Sequence, residues 1–237
     1  MIIINRYIYQ SRGVSSKNVD AIFKVSIKPT DSKVALHESF KNLPMEEINR
    51  RLLWHGTKPQ NLISIFSKGL ITNAPYVETT GKLFGNGLYF ADVLDKSVNY
   101  AQNPYSWNYR RKSSSANKQM NEQYLLLCDV YMGRVKEHSY DPYDNNTLIP
   151  TSYRHGPSIE NFCIKHDSLK AVGLNAPNPK GDIRLSNSGY NIPTGKILPT
   201  PQTEKSKKRS LGRPLEYNEY VVYDENRVNV CYLIRFR

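Results

Sequence analysis

Cysteine is scarce. Cys128, Cys163 and Cys231 are the only three in 237 residues, and no two stand in C-x-x-C spacing. A disulfide scaffold or a zinc ribbon needs closely organised pairs, so the reading is reduced, mostly buried thiols in an intracellular protein, with no metal site. Long apolar runs are also missing. No stretch approaches the ~20 residues of a membrane-spanning helix, and the apolar run in MIIINRYIYQ is too short for a secretory signal. Two nucleotide signatures fail as well. GNGLYF (85–90) opens like a dinucleotide fingerprint but carries Phe90 at its last glycine position. YNIPTGKI (190–197) has Tyr190 and Ile197 at the two ends of what would be a P-loop. A dinucleotide, if bound, is bound on another scaffold. No internal repeat is present.

Acidic residues are in deficit: 33 Lys and Arg against 21 Asp and Glu leave a net charge of +12. Such an excess draws polyanions such as nucleic acid, phosphorylated ligands or acidic proteins, or it serves solubility alone. Much of it is local, in RRKSSSANK (110–118) and EKSKKRSLGR (204–213), which read as exposed loops. The second resembles a nuclear-localisation cluster. Neither interleaves aromatics with its basic residues, which ranks a dedicated nucleic-acid binder low.

What is present suits a globular fold. At 39% hydrophobic and 11% aromatic, the chain can bury a core as one large domain or two small ones. VDAIFKVSIK (19–28) alternates as a half-buried strand with Ala21, Phe23, Val25 and Ile27 inward. Residues 1–18 before it read as a loose arm. A helix is expected over 35–50, then a short strand at Leu52–Trp54. Thr57, Pro59 and Gln60 have the form of a capping box opening a helix that buries Leu62, Ile65 and Phe66 and ends at Gly69. His55 therefore stands where a strand turns into a helix, ahead of free helical N–H groups that suit an anionic or carbonyl-bearing ligand. After a turn-rich loop (71–87), GLYFAD (87–92) reads as a strand, with Asp92 capping a helix that carries Ser97 and Tyr100 on one face. YLLLCDVYMG (124–133), YNEYVVYD (217–224) and VNVCYLIRF (228–236) are strands, and 140–215 is irregular with short strands. The pattern predicts an α+β class.

Glu219 is the unusual residue in the last strands. It alternates with Tyr217, Val221 and Tyr223 on an otherwise apolar face, where a carboxylate is costly unless paired, solvent-facing or functional. His55, Tyr89, Ser97 and Tyr100, each taken alone, are compatible with bland core or surface roles.

Taken together, NRRLLWHGT (49–57), GNGLYFADVLDKSVNYA (85–101) and YNEYVVYD (217–224) resemble, in order and spacing, the catalytic domain of poly(ADP-ribose) polymerases, the diphtheria-toxin-like ADP-ribosyltransferases with a His-Tyr-Glu signature. VDAIFKV and GDIRLSNSGYNIPTG (181–195) extend the resemblance across 19–237. It implies an ADP-ribosyltransferase fold of mostly antiparallel sheets with few helices and an NAD cleft between them. It also implies residues 1–18 as an N-terminal arm and 19–237 as the catalytic domain. With only residues 1–18 ahead of the first strand, no helical regulatory domain is expected, and NAD access is expected without DNA activation.

The resemblance further implies residue roles. His55 would bind the adenine-side ribose of NAD, Gly56 and Ser97 the nicotinamide amide, and Tyr100 would stack on the nicotinamide with Tyr89 opposite. Thr57, Asn61 and Ser64 would lie near the cofactor's ribose and phosphates, and Lys96 near the site. Glu219, with His55 and Tyr89, would be catalytic, stabilising positive charge on the ribose as carboxylates do in glycoside hydrolysis. NAD would be a consumed substrate, with no metal. The acceptor would be a protein, with this chain itself among the candidates, or a nucleic-acid end, with the basic loops touching polyanions. No membrane partner is expected, and the nucleus is favoured over the cytoplasm. Tyr217 and Leu83 fall at acceptor-side positions, so polymer formation is the implied activity. A mono-ADP-ribosyltransferase and a non-catalytic NAD- or ADP-ribose-binding module are the alternatives. Ile71 departs from an arginine near the phosphates, Asn86 from a lysine, and the loop 198–213 is long and basic.

Overall fold

The computed structural model describes residues 2–12, 18–72, 83–101, 122–139, 165–185, 189–203 and 215–236. The basic runs 110–118 and 204–213, and Cys163, lie outside them. The α-helices used below are α1 Ile2–Gln10, α2 Asp31–Ser39, α3 Met45–Ile48, α4 Leu62–Lys68 and α5 Leu94–Val98. The strands are β1 Val19–Lys24, β2 Arg50–Gly56, β3 Leu88–Phe90, β4 Gln123–Tyr131, β5 Val135–Ser139, β6 Ser168–Val172, β7 Asn175–Pro177, β8 Ile183–Leu185, β9 Tyr190–Ile192, β10 Ile197–Pro199, β11 Glu219–Val222 and β12 Val228–Phe236.

They form a six-stranded sheet in the order β1-β12-β4-β2-β9-β8, a four-stranded sheet β3-β11-β6-β5 and a small ribbon β10-β7. Pairing is antiparallel except at β2–β9 and β5–β6.

The larger sheet is buried on both faces, which is why its central strand has a continuous apolar run rather than an alternation. Leu126, Cys128 and Val130 of β4 face one core, where Leu53 and Ile65 meet Leu88, Phe90, Tyr220 and Val222 of the second sheet. Leu125 and Leu127 face the other, against Ile4, Tyr7 and Ile8 of α1 and Leu94 of α5. The two sheets are joined by a pair of backbone bonds. Trp54 N–H donates to the Ala91 carbonyl at 2.8 Å, and Ala91 N–H to the Trp54 carbonyl at 2.9 Å.

The loose arm expected at the N-terminus is instead a packed helix over its first turns. Tyr7 of α1 is fully buried, with its ring 5.3 Å from Trp54, and Trp54 Nε1–H donates to Ser11 Oγ at 3.1 Å. Apolar Ile4, Tyr7 and Ile8 fall on one face at i, i+3, i+4 spacing, a pattern too short to stand out in the sequence. Trp54→Ala is expected to lower unfolding free energy by about 3–5 kcal/mol, read as an earlier urea midpoint.

Other expectations change for local reasons. The helix expected over 35–50 divides into α2 and α3. Pro44 disfavours helical backbone at Leu43, which is extended at φ −91° and ψ 146°, and Asn49 at φ 48° ends α3. The first strand stops at Lys24. Phe23 shares a face with its cross-strand partner Leu233, but it stands on the edge strand and stays 46% exposed beneath the Arg235 guanidinium. Val25 and Ile27 pack against the first core as expected, and Ile22 packs against the second, on the other face. α4 buries Ile65 and partly Leu62, whereas Phe66 is exposed. Gly69 ends it at φ 83°, as the sequence predicts.

Candidate active site

β2 and β3 meet at the Trp54–Ala91 seam, so the residues beyond it are drawn together. His55 Nδ1 lies 2.8 Å from the Tyr89 carbonyl. A carbonyl only accepts, so Nδ1 carries the proton and Nε2 keeps its lone pair. Burial pushes the imidazole pKa below its usual value and the carbonyl bond partly opposes this, so the ring is neutral at pH 7.

Gly56 follows at the end of β2. A Cβ there would collide with the Ser97 carbonyl oxygen and stand 3.0 Å from Tyr100 Cβ. The missing side chain thus has a structural reason: it lets the end of α5 lie directly on β2. Ser97 is buried at this contact, and Tyr100, one turn on, is 40% exposed.

Tyr89 pairs with Val221 across β3 and β11. Its hydroxyl accepts from Phe84 N–H at 2.9 Å and donates to the Gly85 carbonyl at 2.9 Å. Gly85 sits at φ 88°, a left-handed conformation that glycine adopts freely. The Tyr223 hydroxyl adds a bond to the Phe84 carbonyl at 2.8 Å. The ring is therefore fixed from its hydroxyl end, and Leu83 packs against the same small core of Phe84, Leu169, Ala171 and Val221.

Glu219 opens β11 and is 6% exposed. Its Oε1 accepts from Lys96 Nζ at 2.8 Å, and the lysine side chain is only 17% exposed. Of the readings open for this carboxylate, the structure selects a buried one with a basic partner. A carboxylate withdrawn from water beside one ammonium is a strong local field with little solvent to relax it. It reaches Tyr100, whose phenol pKa is raised by burial and further by the charge on Glu219.

Chain adjacency of His55 with Gly56 and of Lys96 with Ser97 closes these contacts into one cluster: His55, Gly56, Tyr89, Lys96, Ser97, Tyr100 and Glu219. Thr57 is buried, and its Oγ1 accepts from Asn61 Nδ2 at 3.2 Å. The expected capping box is therefore not formed. A 3-10 turn at Pro59–Asn61 intervenes, and Lys58 caps it without a side-chain bond. Ser64 is exposed on α4, and no hydrogen bond among the described residues joins it to the cluster. Tyr217 is buried and bridged to Asn175, and burial raises its phenol to about 12. Ile71 is half-buried.

Asp92, expected to cap α5, does not. Val93 takes that position without a side-chain bond, and Asp92 Oδ2 accepts from Asn218 Nδ2 at 2.7 Å and the Tyr220 hydroxyl at 2.9 Å. The sequence alone does not mark Asn218 and Tyr220 as site residues. Their signal, polar groups flanking Glu219 on the opposite face of its strand, is readable only once the neighbouring strand is known.

The family profile described as the poly(ADP-ribose) polymerase catalytic domain matches residues 3–237. The chain belongs to the poly(ADP-ribose) polymerase catalytic domain family. It is similar to poly(ADP-ribose) polymerase 1 of Danio rerio, 33% identical over 220 residues, covering 93% of this chain and 17% of that protein. Poly(ADP-ribose) polymerase 2 of Arabidopsis thaliana is 33% identical over 189 residues, 80% of this chain and 24% of that protein. Poly(ADP-ribose) polymerase 2 of Homo sapiens is 32% identical over 187 residues, 79% of this chain and 26% of that protein. The chain thus spans about a quarter or less of the length of these relatives. The resemblance read from the three motifs is borne out, as is the α+β fold of mostly antiparallel sheets with few helices.

Proposed function

We propose that this chain is an NAD-dependent poly(ADP-ribosyl)transferase. The observation that carries the reading is the buried Lys96–Glu219 pair at 2.8 Å, in a cluster with neutral His55, Ser97 and the exposed ring of Tyr100. Cleavage breaks the bond between the nicotinamide nitrogen and ribose C1′, and its electron pair stays on the ring nitrogen to give neutral nicotinamide. C1′ then bonds to an acceptor nucleophile, which releases one proton. Positive charge peaks on the ribose between the two events. A pre-oriented carboxylate there stabilises the transition state more than the ground state.

The residue roles follow from what each group offers. His55 Nε2, an acceptor in the tautomer fixed by Tyr89, receives a ribose hydroxyl. Gly56 presents bare backbone and Ser97 a hydroxyl to the carboxamide. Tyr100 and Tyr89 offer ring faces to the nicotinamide, and Lys96 holds Glu219. Thr57 and Asn61 stand at the entry to α4, where ribose and phosphates fit. Ser64 joins this surface only through the outer end of the ligand. The acceptor is a protein, with this chain among the candidates, or a nucleic-acid end, and the compartment is the nucleus.

Incubation with radiolabelled NAD and a denaturing gel test the reading. A smear of increasing mass supports polymer formation, and a sharp band moves the assignment to single-unit transfer. No label on any acceptor, with NAD left intact, overturns it. Affinity for an uncleavable NAD analogue is also expected to be flat above pH 6.5 and to fall at lower pH. The lowered pKa keeps His55 neutral down through that value, and protonation below it turns the Nε2 acceptor into a donor. Calorimetry across pH, beside His55→Gln, reads the difference.

A further inference from the structure

Glu219 is flanked in sequence by two residues that one buried carboxylate holds. Asn218 Nδ2 and the Tyr220 hydroxyl both donate to Asp92 Oδ2, at 2.7 and 2.9 Å, and all three residues are 2% exposed. Asn218 is also held from its other end, where Oδ1 accepts from Gly173 N–H at 3.0 Å. Tyr220 packs into the core between the sheets while Val221 packs on the opposite face of β11. By the two-residue period of a strand, Asn218 and Tyr220 share the inner face, and Glu219 projects the other way, toward Lys96. Carrying the register of Tyr220 with Phe90 two residues further sets Asn218 across from Asp92.

Asp92 is also the hinge to the other half of the site. Two residues later α5 begins, bearing Lys96 and Ser97. The backbone between is pinned to α1. Tyr7 Oη–H donates to the Asp92 carbonyl at 3.3 Å and Leu94 N–H to the Ser11 carbonyl at 2.8 Å. One carboxylate therefore grips the strand that carries Glu219 from the start of the segment that carries Lys96. The arrangement has a standing cost, because Asp92 Oδ1 is buried with no partner among the described residues. An apolar contact would hold two strands together without that cost, so a buried polar clamp is explained by orientation rather than by stability.

We propose that Asp92, acting through Asn218 and Tyr220, is a positioning residue that aims the Glu219 carboxylate at the reacting ribose. The inference rests on the transferase reading above. Misplacing a reacting group by a fraction of an ångström to an ångström lowers rate far more than affinity.

The test is NAD turnover by Asn218→Ala, Asp92→Ala and Asp92→Asn, with calorimetric affinity for an analogue whose scissile carbon–nitrogen bond is replaced by carbon–carbon. Asn218→Ala and Asp92→Ala are expected to lower kcat about tenfold while analogue affinity stays within about twofold. Asp92→Asn, which keeps an acceptor oxygen, is expected to recover at least about threefold over Asp92→Ala. In a Glu219→Gln background, Asn218→Ala is expected to change the residual rate less than about twofold, because its effect passes through the missing carboxylate. The same fold-loss in that background, or a loss of analogue affinity that matches the loss of kcat, overturns the proposal. Should Asn218→Ala fail to fold by urea melt, Tyr220→Phe removes one bond of the clamp, and an unchanged kcat there overturns it equally. If the unsubstituted protein leaves NAD intact, the transferase reading fails first, and the positioning role falls with it.

Discussion

Glu219→Gln is expected to lower NAD turnover by about 10³-fold while analogue affinity changes by less than about threefold. The split follows from when the carboxylate is needed. In bound NAD the positive charge sits on the nicotinamide ring. It moves onto the ribose only as the glycosidic bond stretches, and there a full negative charge in a low-dielectric pocket acts most strongly. Glutamine keeps the shape and an acceptor oxygen for Lys96 Nζ, so the 2.8 Å contact and the fold should survive. Lys96 then lacks its counter-charge, and a modest loss of thermal stability is expected, since an uncompensated buried ammonium is unfavourable. Single-turnover assays with radiolabelled NAD, beside calorimetry, read the two effects separately. If turnover and analogue affinity fell by the same large factor, Glu219 would be a binding residue and not the group that stabilises the transition state.

Gly56→Ala is expected to damage binding and turnover together. The new methyl would overlap the Ser97 carbonyl, a backbone atom that cannot swing aside as a side-chain end could. β2 and α5 must separate, and α5 carries both Lys96 and Ser97. A displacement near 1 Å disturbs the amide site and the Glu219 partner at once, so a loss of about 100-fold in kcat/KM is expected. Overpacking of this kind should also lower stability by about 1–3 kcal/mol. Steady-state kinetics and a urea melt test it. Near-normal affinity and stability in Gly56→Ala would show that β2 and α5 do not need their close approach.

Much of the site is legible in the sequence, and the reason is local. His55-Gly56, Lys96-Ser97 and Glu219 each lie beside short runs whose periodicity marks a strand end or a helix start, and three such motifs in one order point to one family. The same locality explains the errors. Asp92 has the look of a helix cap because Asp before an apolar run often is one. Its actual partners, Asn218 and Tyr220, are 126 and 128 positions away in the chain. Thr57-Lys58-Pro59-Gln60 has the composition of a capping box, but a 3-10 turn takes the first positions and Thr57 turns to Asn61 instead. Strict alternation places Phe23 inward, but β1 is an edge strand with a neighbour on one side alone, and Phe23 stays 46% exposed on the face where Val25 and Ile27 pack.

Fold class, family and the residue types of the site are written along the chain, because strand and helix periods and motif spacing are properties of sequence neighbours. Which groups touch is a matter of tertiary structure. It brings Lys96 to Glu219, the Tyr89 carbonyl to His55 and the Ser97 carbonyl to the space a Gly56 side chain would fill. Those pairings depend on sheet register and on the Trp54–Ala91 seam, where a shift of one residue would turn each side chain to the opposite face.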